Sequence, residues 1–326
     1  MTSPRNFRDV EEAVEVVAAG LEDELARLGM PNDRNMLSAS ALVSPKYNEL
    51  IVQAHQKFLN AGATCIVTNN RHVVRGLGFK MEEIREYTRL AGRLAQDARK
   101  NGCKEELVKI CGSVPPLMPS YRSDRTIEKD EGAPMFKLIG EALWPYVDMY
   151  LIETMASVEE AMMAFEAIKD LGHPVMVSLA LDNVGALRSG EDVVDTVQRL
   201  VDFCCGAGTQ DSQCFRAVLF NCSQPEDITK ALKKINQCEE LVNKLTANNI
   251  RLGAYGDSIS AKSAAGVMEE ELVAGANRSR LDLEVFAAFA VKWVSLGATL
   301  VGGCCGVSPA YIRHVCETLA EEGVAP

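Results

Sequence analysis

Short apolar runs rich in β-branched residues alternate along this chain with longer amphipathic stretches. Eight such runs read as strands: 14–20, 63–70, 107–114, 149–156, 174–181, 217–223, 250–256 and 298–305. They are nearly continuous in apolar character, as strands are when both faces of a sheet are covered. Between them, apolar residues recur at helical spacing over stretches such as 46–61, 81–101, 158–171, 191–204, 226–232 and 282–296. Strand followed by helix, eight times over, predicts parallel βαβ units closing into a (β/α)8 TIM barrel of the α/β class.

Local signals fit this division. Ser157 and Asp282 stand where helix N-caps are needed, and Pro309 falls in the first turn of a last helix, where a missing N–H costs nothing. Gly62 and Gly297 each follow a helix and precede a strand. Two stretches, 115–133 and 254–277, read as long loops. No linker composition divides the chain, so one barrel domain is expected over 1–326, with its core at about 14–318.

Charge narrows the function classes. The 326 residues carry a formal net charge of −11. An acidic chain without a basic stripe is a poor nucleic-acid binder. No apolar run reaches membrane-spanning length, and residues 1–9 hold no signal-peptide core, so a cytoplasmic protein without membrane contact is expected. The 11 cysteines form an odd set without a secretion signal, which argues against a disulfide framework. Cys204-Cys205 closes an amphipathic helix and reads as packing or surface thiols. Cys65, Cys103, Cys111, Cys214, Cys238 and Cys316 have no ligand-like grouping.

The ends of the sixth and eighth strands are different. The sixth runs into Asn221-Cys222-Ser223, the eighth into Gly302-Gly303-Cys304-Cys305-Gly306. In a closed eight-stranded barrel these ends lie two strands apart on one rim, the rim that carries active sites. Cys222, Cys304 and Cys305 together suit Zn²⁺, and three protein ligands leave a fourth position open. A thiol bound there would be deprotonated by the metal. Gly302 and Gly303 are expected to supply backbone conformations closed to other residues, so that two successive cysteines reach one ion.

The motif 301–306 with Pro309 and Ile312 resembles the zinc-binding signature of the homocysteine S-methyltransferases. Asn221-Cys222 resembles the upstream ligand motif of that family, Ala61-Gly62-Ala63 leading to Thr68-Asn69 its second strand, and Ile152-Glu153-Thr154 its Phe-Glu-Thr strand. The resemblance spans about 14–318 and implies a (β/α)8 barrel in which Glu153 binds the amino group of homocysteine. It also implies that Thr68 and the backbone around Gly20 contact the acceptor, and that His72 is a candidate fourth zinc ligand when substrate is absent.

The sequence departs from the family at three places. Ala18-Ala19-Gly20 stands where the family has an Asp-Gly pair, Asn70-Arg71 where it has Thr-Tyr, and Tyr255-Gly256-Asp257 where it has Tyr-Pro-Asn. Asp23 and Glu24, just beyond the altered first strand, read as a solvated helix start. The resemblance implies a zinc-dependent transfer of a methyl group to homocysteine or a related small thiol, giving methionine. Chain length favours a sulfonium donor (S-methylmethionine or S-adenosylmethionine) and a monomer. The alternative is a barrel that retains zinc without methyl transfer, as a thiol- or metal-binding regulatory protein.

Overall fold

The computed structural model describes residues 13–31, 33, 35–102, 105–118, 127–206, 214–259 and 280–324. Eight parallel strands close into one barrel in sequence order. They are β1 (Glu15–Ala18), β2 (Cys65–Val67), β3 (Lys109–Val114), β4 (Met149–Met155), β5 (Val175–Ala180), β6 (Phe215–Asn221), β7 (Arg251–Gly256) and β8 (Ala298–Gly303). Each apolar run of the sequence yields one strand, and the runs overshoot at their ends.

The helices of the outer layer are α1 (Leu21–Arg27), α2 (Ser40–Val43), α3 (Asn48–Asn60), α4 (Met81–Lys100), α5 (Lys129–Leu143) and α6 (Val158–Ile168). They continue with α7 (Val193–Cys204), α8 (Pro225–Gln237), α9 (Glu239–Ala247), α10 (Leu283–Ser295) and α11 (Pro309–Glu321). The side chain of Ser157 caps α6 by accepting from the Glu160 N–H at 3.4 Å, and Asp192 caps α7 by accepting from Val194 N–H at 2.8 Å.

The loop expected over 115–133 is shorter than predicted. Helix α5 starts at Lys129 and carries Pro134 within it, and the three prolines upstream masked its onset. Of the loop expected over 254–277, Ala254, Tyr255 and Gly256 belong to β7, and 260–277 lie outside the described residues.

Alternation within the strands builds two cores. Val16, Ile66, Ile110 and Val177 face the helices. Val17, Cys65, Val67, Cys111, Leu151, Met176, Leu219, Tyr255 and Leu300 fill the barrel itself. The barrel is therefore a packed interior and not a pore. At its N-terminal end, Glu15 accepts hydrogen bonds from both Arg251 and Lys109. Its C-terminal end is where the described residues form a chemically distinctive pocket.

Candidate active site

Strand register assembles this site. In the parallel ladder Asn221 pairs with Tyr255, and Tyr255 with Gly302. Gly256 in turn pairs with Gly303. The residues that follow these pairs, Cys222, Asp257 and Cys304, thus emerge together from three adjacent strands. The Cys222 Sγ lies 2.9 Å from the Cys304 Sγ and 4.0 Å from the Cys305 Sγ, and the latter two are 3.9 Å apart. Asp257 joins them: the four ligand atoms all fall within 4.8 Å of one another. Among the described residues this is the one cluster that could hold a metal ion.

Close approach of backbones makes the cluster possible. A Cβ on Gly302 would sit 1.9 Å from the Val17 carbonyl oxygen, because β1 and β8 are paired at this point. Neither Gly302 nor Gly303 has a positive φ. The need for glycine here is therefore lack of space, not the conformational freedom expected from the sequence. Gly20 is similarly confined: a Cβ there would be 2.5 Å from the Val307 carbonyl oxygen.

The thiols are surrounded by ordered donors. The Asn221 amide donates to the Cys222 sulfur at 3.4 Å and to the Thr154 hydroxyl at 2.7 Å, and Ser178 fixes the amide by donating to its oxygen at 2.7 Å. The backbone N–H of Cys305 donates to Asp257 Oδ1 at 3.0 Å. Without a cation, this crowding disfavours ionisation. Hydrogen bonding to Cys222, together with burial, pushes the Cys304 and Cys305 thiols well up, and burial beside Cys222 does the same to the Asp257 carboxyl. A divalent ion reverses that cost, since coordination favours the thiolate outright.

Beside the cluster lies a pocket lined by Gly20, Glu22, Asp23, Arg71, His72 and Glu153, among others. Glu153 is buried at the end of β4. One of its oxygens accepts from the Ser113 hydroxyl, and the other meets the Arg71 guanidinium at 3.3 Å. Burial raises its pKa, and Arg71 pulls the other way. Thr68 lines the pocket too, but its hydroxyl donates to Asn70 Oδ1 at 2.6 Å and accepts from Ser113 N–H at 2.9 Å, bracing β2 against β3.

His72 is in the pocket and outside the thiol cluster. Its Nδ1 is 2.7 Å from the Ser38 hydroxyl and 4.0 Å from Glu22. Burial, with Arg71 nearby, pushes its pKa down to about 3 and keeps the ring neutral.

The first turn of α1 differs from the solvated helix start expected. Asp23 accepts from Gly306 N–H at 2.6 Å and pairs with Arg280 at 3.1 Å, so it ties α1 to the turn after the cysteines. Glu24 is buried and pairs with Lys57 at 2.9 Å. Glu22, which carries no motif signal, faces the pocket, where burial pushes its pKa up to about 7. Asp257 was likewise absent from the sequence-derived ligand set; its position directly after β7, on the rim between the two cysteine-bearing strands, was the available signal. Cys103 lies outside the described residues.

The fold and this rim define a (β/α)8 barrel with a thiol-rich candidate metal site at its C-terminal end. The family model described as homocysteine S-methyltransferase matches residues 16–319, and the chain belongs to that family, a family of methyltransferase enzymes. Among curated relatives, homocysteine S-methyltransferase 1 of Brassica oleracea var. italica is 23% identical over 93% of each chain. Selenocysteine methyltransferase of Astragalus bisulcatus is 26% identical over 94% of this chain and 92% of its own. Among solved structures, the metallated homocysteine methyltransferase MmuM from Escherichia coli is 20% identical with a TM-score of 0.74. That likeness covers 97% of this chain and all of the other, and it shows the shared fold.

Proposed function

We propose that the chain is a zinc-dependent S-methyltransferase that moves a methyl group from a sulfonium donor, S-methylmethionine or S-adenosylmethionine, to homocysteine or a related thiol. The observation that carries this reading is the convergence of Cys222, Cys304 and Cys305 with Asp257 within 4.8 Å at the barrel rim. Family membership supports the reaction class, and the relatives named for homocysteine and selenocysteine support a small amino-acid thiol or selenol as acceptor.

The donor set fits the ion. Soft thiolates with one hard oxygen are a zinc environment, and three thiolates keep the Lewis acidity of the metal low enough to leave a bound sulfur nucleophilic. Cys222, Cys304 and Cys305 would hold Zn²⁺, and Asp257, in the cluster where His72 is not, would fill the position that the acceptor takes over. When bound, the ion would supply the acidity that converts an acceptor thiol to thiolate at neutral pH. Asn221 and Thr154 direct their donors at Cys222, which damps its charge and fixes its direction. Asp257 stays anchored by the Cys305 N–H, and the backbone of Gly20, which lines the pocket, would contact the acceptor. Arg71 and Ser113 hold Glu153 in place on the pocket wall.

We also read residues 1–326 as one barrel domain of a cytoplasmic monomer. Among the described residues no helix is long and apolar enough to cross a membrane. Elemental analysis tests the ligand set. Freshly reduced protein should carry one zinc per chain and Cys222→Ala little or none, and zinc-free wild-type protein would contradict it. A barrel that binds zinc only as a regulatory protein is not favoured by membership of a methyltransferase family.

A further inference from the structure

The pocket beside the thiols contains three carboxylates, and their partners differ. Glu153 is committed on both oxygens, to Ser113 and to Arg71. Asp23 is committed on both oxygens, to Arg280 and to the Gly306 N–H. Glu22, on the first turn of α1, has His72 as its nearest partner, at 4.0 Å, beyond hydrogen-bond distance. Its side chain retains 33% of its exposure, and it lines the same pocket as Cys304 and Cys305. Glu22 is therefore the one of the three carboxylates that no donor among the described residues engages within hydrogen-bond distance, and an arriving ammonium would draw its carboxyl, which burial pushes up to about 7, into the charged form. The guanidinium of Arg71 is turned to Glu153 and to the Thr154 hydroxyl, which it meets at 2.5 Å.

We infer that Glu22 is the specificity-determining residue for the acceptor. It receives the ammonium group of an α-amino thiol, and Arg71 withdraws Glu153 from that task. The inference rests on the methyl-transfer reading for the thiol end of the ligand and adds the recognition of its other end. A charged hydrogen bond from an ammonium to a carboxylate in a partly enclosed pocket contributes enough to separate otherwise identical thiols by about 10- to 100-fold. Glu153 then acts as a positioning residue, braced to keep Arg71 and Thr154 against Cys222.

Two ligands that differ only in the amino group test this: homocysteine and 4-mercaptobutyrate. Zinc-loaded wild-type protein, Glu22→Gln and Glu153→Gln are compared in two ways. Binding of each thiol is measured by calorimetric titration, and methylated product is measured with S-methylmethionine as donor. The expected result is that wild-type protein prefers homocysteine by about 10-fold or more in binding and in kcat/KM. Glu22→Gln should erase the preference by raising KM for homocysteine to the level of 4-mercaptobutyrate. Glu153→Gln should keep the preference and lower kcat for both thiols. A Glu22→Gln protein that still prefers homocysteine, or a Glu153→Gln protein that loses the preference, overturns the assignment. If the wild-type protein binds both thiols but methylates neither, the methyl-transfer reading fails, and the titrations alone decide the role of Glu22.

Discussion

The Thr154 hydroxyl donates to the Cys222 sulfur at 3.7 Å, and both residues sit in the left-handed backbone region, with φ of +60° and +47°. Neither is glycine, so each conformation costs about 1–3 kcal/mol and persists only where its surroundings enforce it. At Thr154 the β4–β5 register also shifts. The strain lies where two strand ends must turn side chains toward one point. Thr154→Ala should therefore weaken zinc retention by about 10- to 100-fold, with Thr154→Ser close to wild type. Competition against a graded series of chelators measures this; equal retention in all three proteins would show that the contact is incidental.

Gly302 gives a prediction about the fold. Alanine there would place a Cβ 1.9 Å from the Val17 carbonyl oxygen, and both partners are backbone atoms of paired strands that have nowhere to move. Gly302→Ala should destabilise the barrel by roughly 3 kcal/mol or more. Gly29→Ala, at a turn where a Cβ meets nothing within 4 Å but φ is +94°, should cost only about 1 kcal/mol. Thermal unfolding of the two variants, side by side, gives the comparison, and similar midpoints would refute the steric account.

His55 gives a dependence on pH. It is 1% exposed in α3, its Nε2 has no hydrogen-bond partner, and burial pushes its pKa down to about 4. The unfolded chain binds this proton at about pH 6.5 and the folded chain only near pH 4, so the unfolded state holds more protons between those values. The His55 contribution to stability is present above pH 6.5 and falls as the pH drops toward 4, by roughly 3 kcal/mol in all. In His55→Leu that loss is absent. Denaturant titrations at pH 7.5 and pH 5 should show a smaller drop for the variant, and equal drops would exclude His55 as the acid-sensitive group.

The strands, the outer helices and three of the cluster residues were legible because each is signalled by neighbours in sequence. Apolar runs mark the strands, and Gly-Gly-Cys-Cys-Gly marks the cysteines. Glu22 and Asp257 were not legible for the same reason. Nothing beside Glu22 in the chain distinguishes it from Asp23 and Glu24, and only the packing of α1 decides which carboxylate meets Arg280, Lys57 or the pocket. Asp257 becomes a cluster member through the register of β6, β7 and β8, a relation between segments far apart in sequence. Helix α5 was hidden by Pro134 and the prolines before it, whose local preference the packing against α6 and β3 overrides.

One measurement tests the link between the thiol cluster and methyl transfer directly. Reduced, zinc-loaded protein is supplied with homocysteine and S-methylmethionine, and methionine is quantified before chelation, after chelation and after zinc is returned. The proposed function predicts methionine at the start, its loss on chelation and its recovery with zinc. Methionine formed at the same rate by metal-free protein, or none formed by protein carrying a full complement of zinc with either sulfonium donor, would contradict the account.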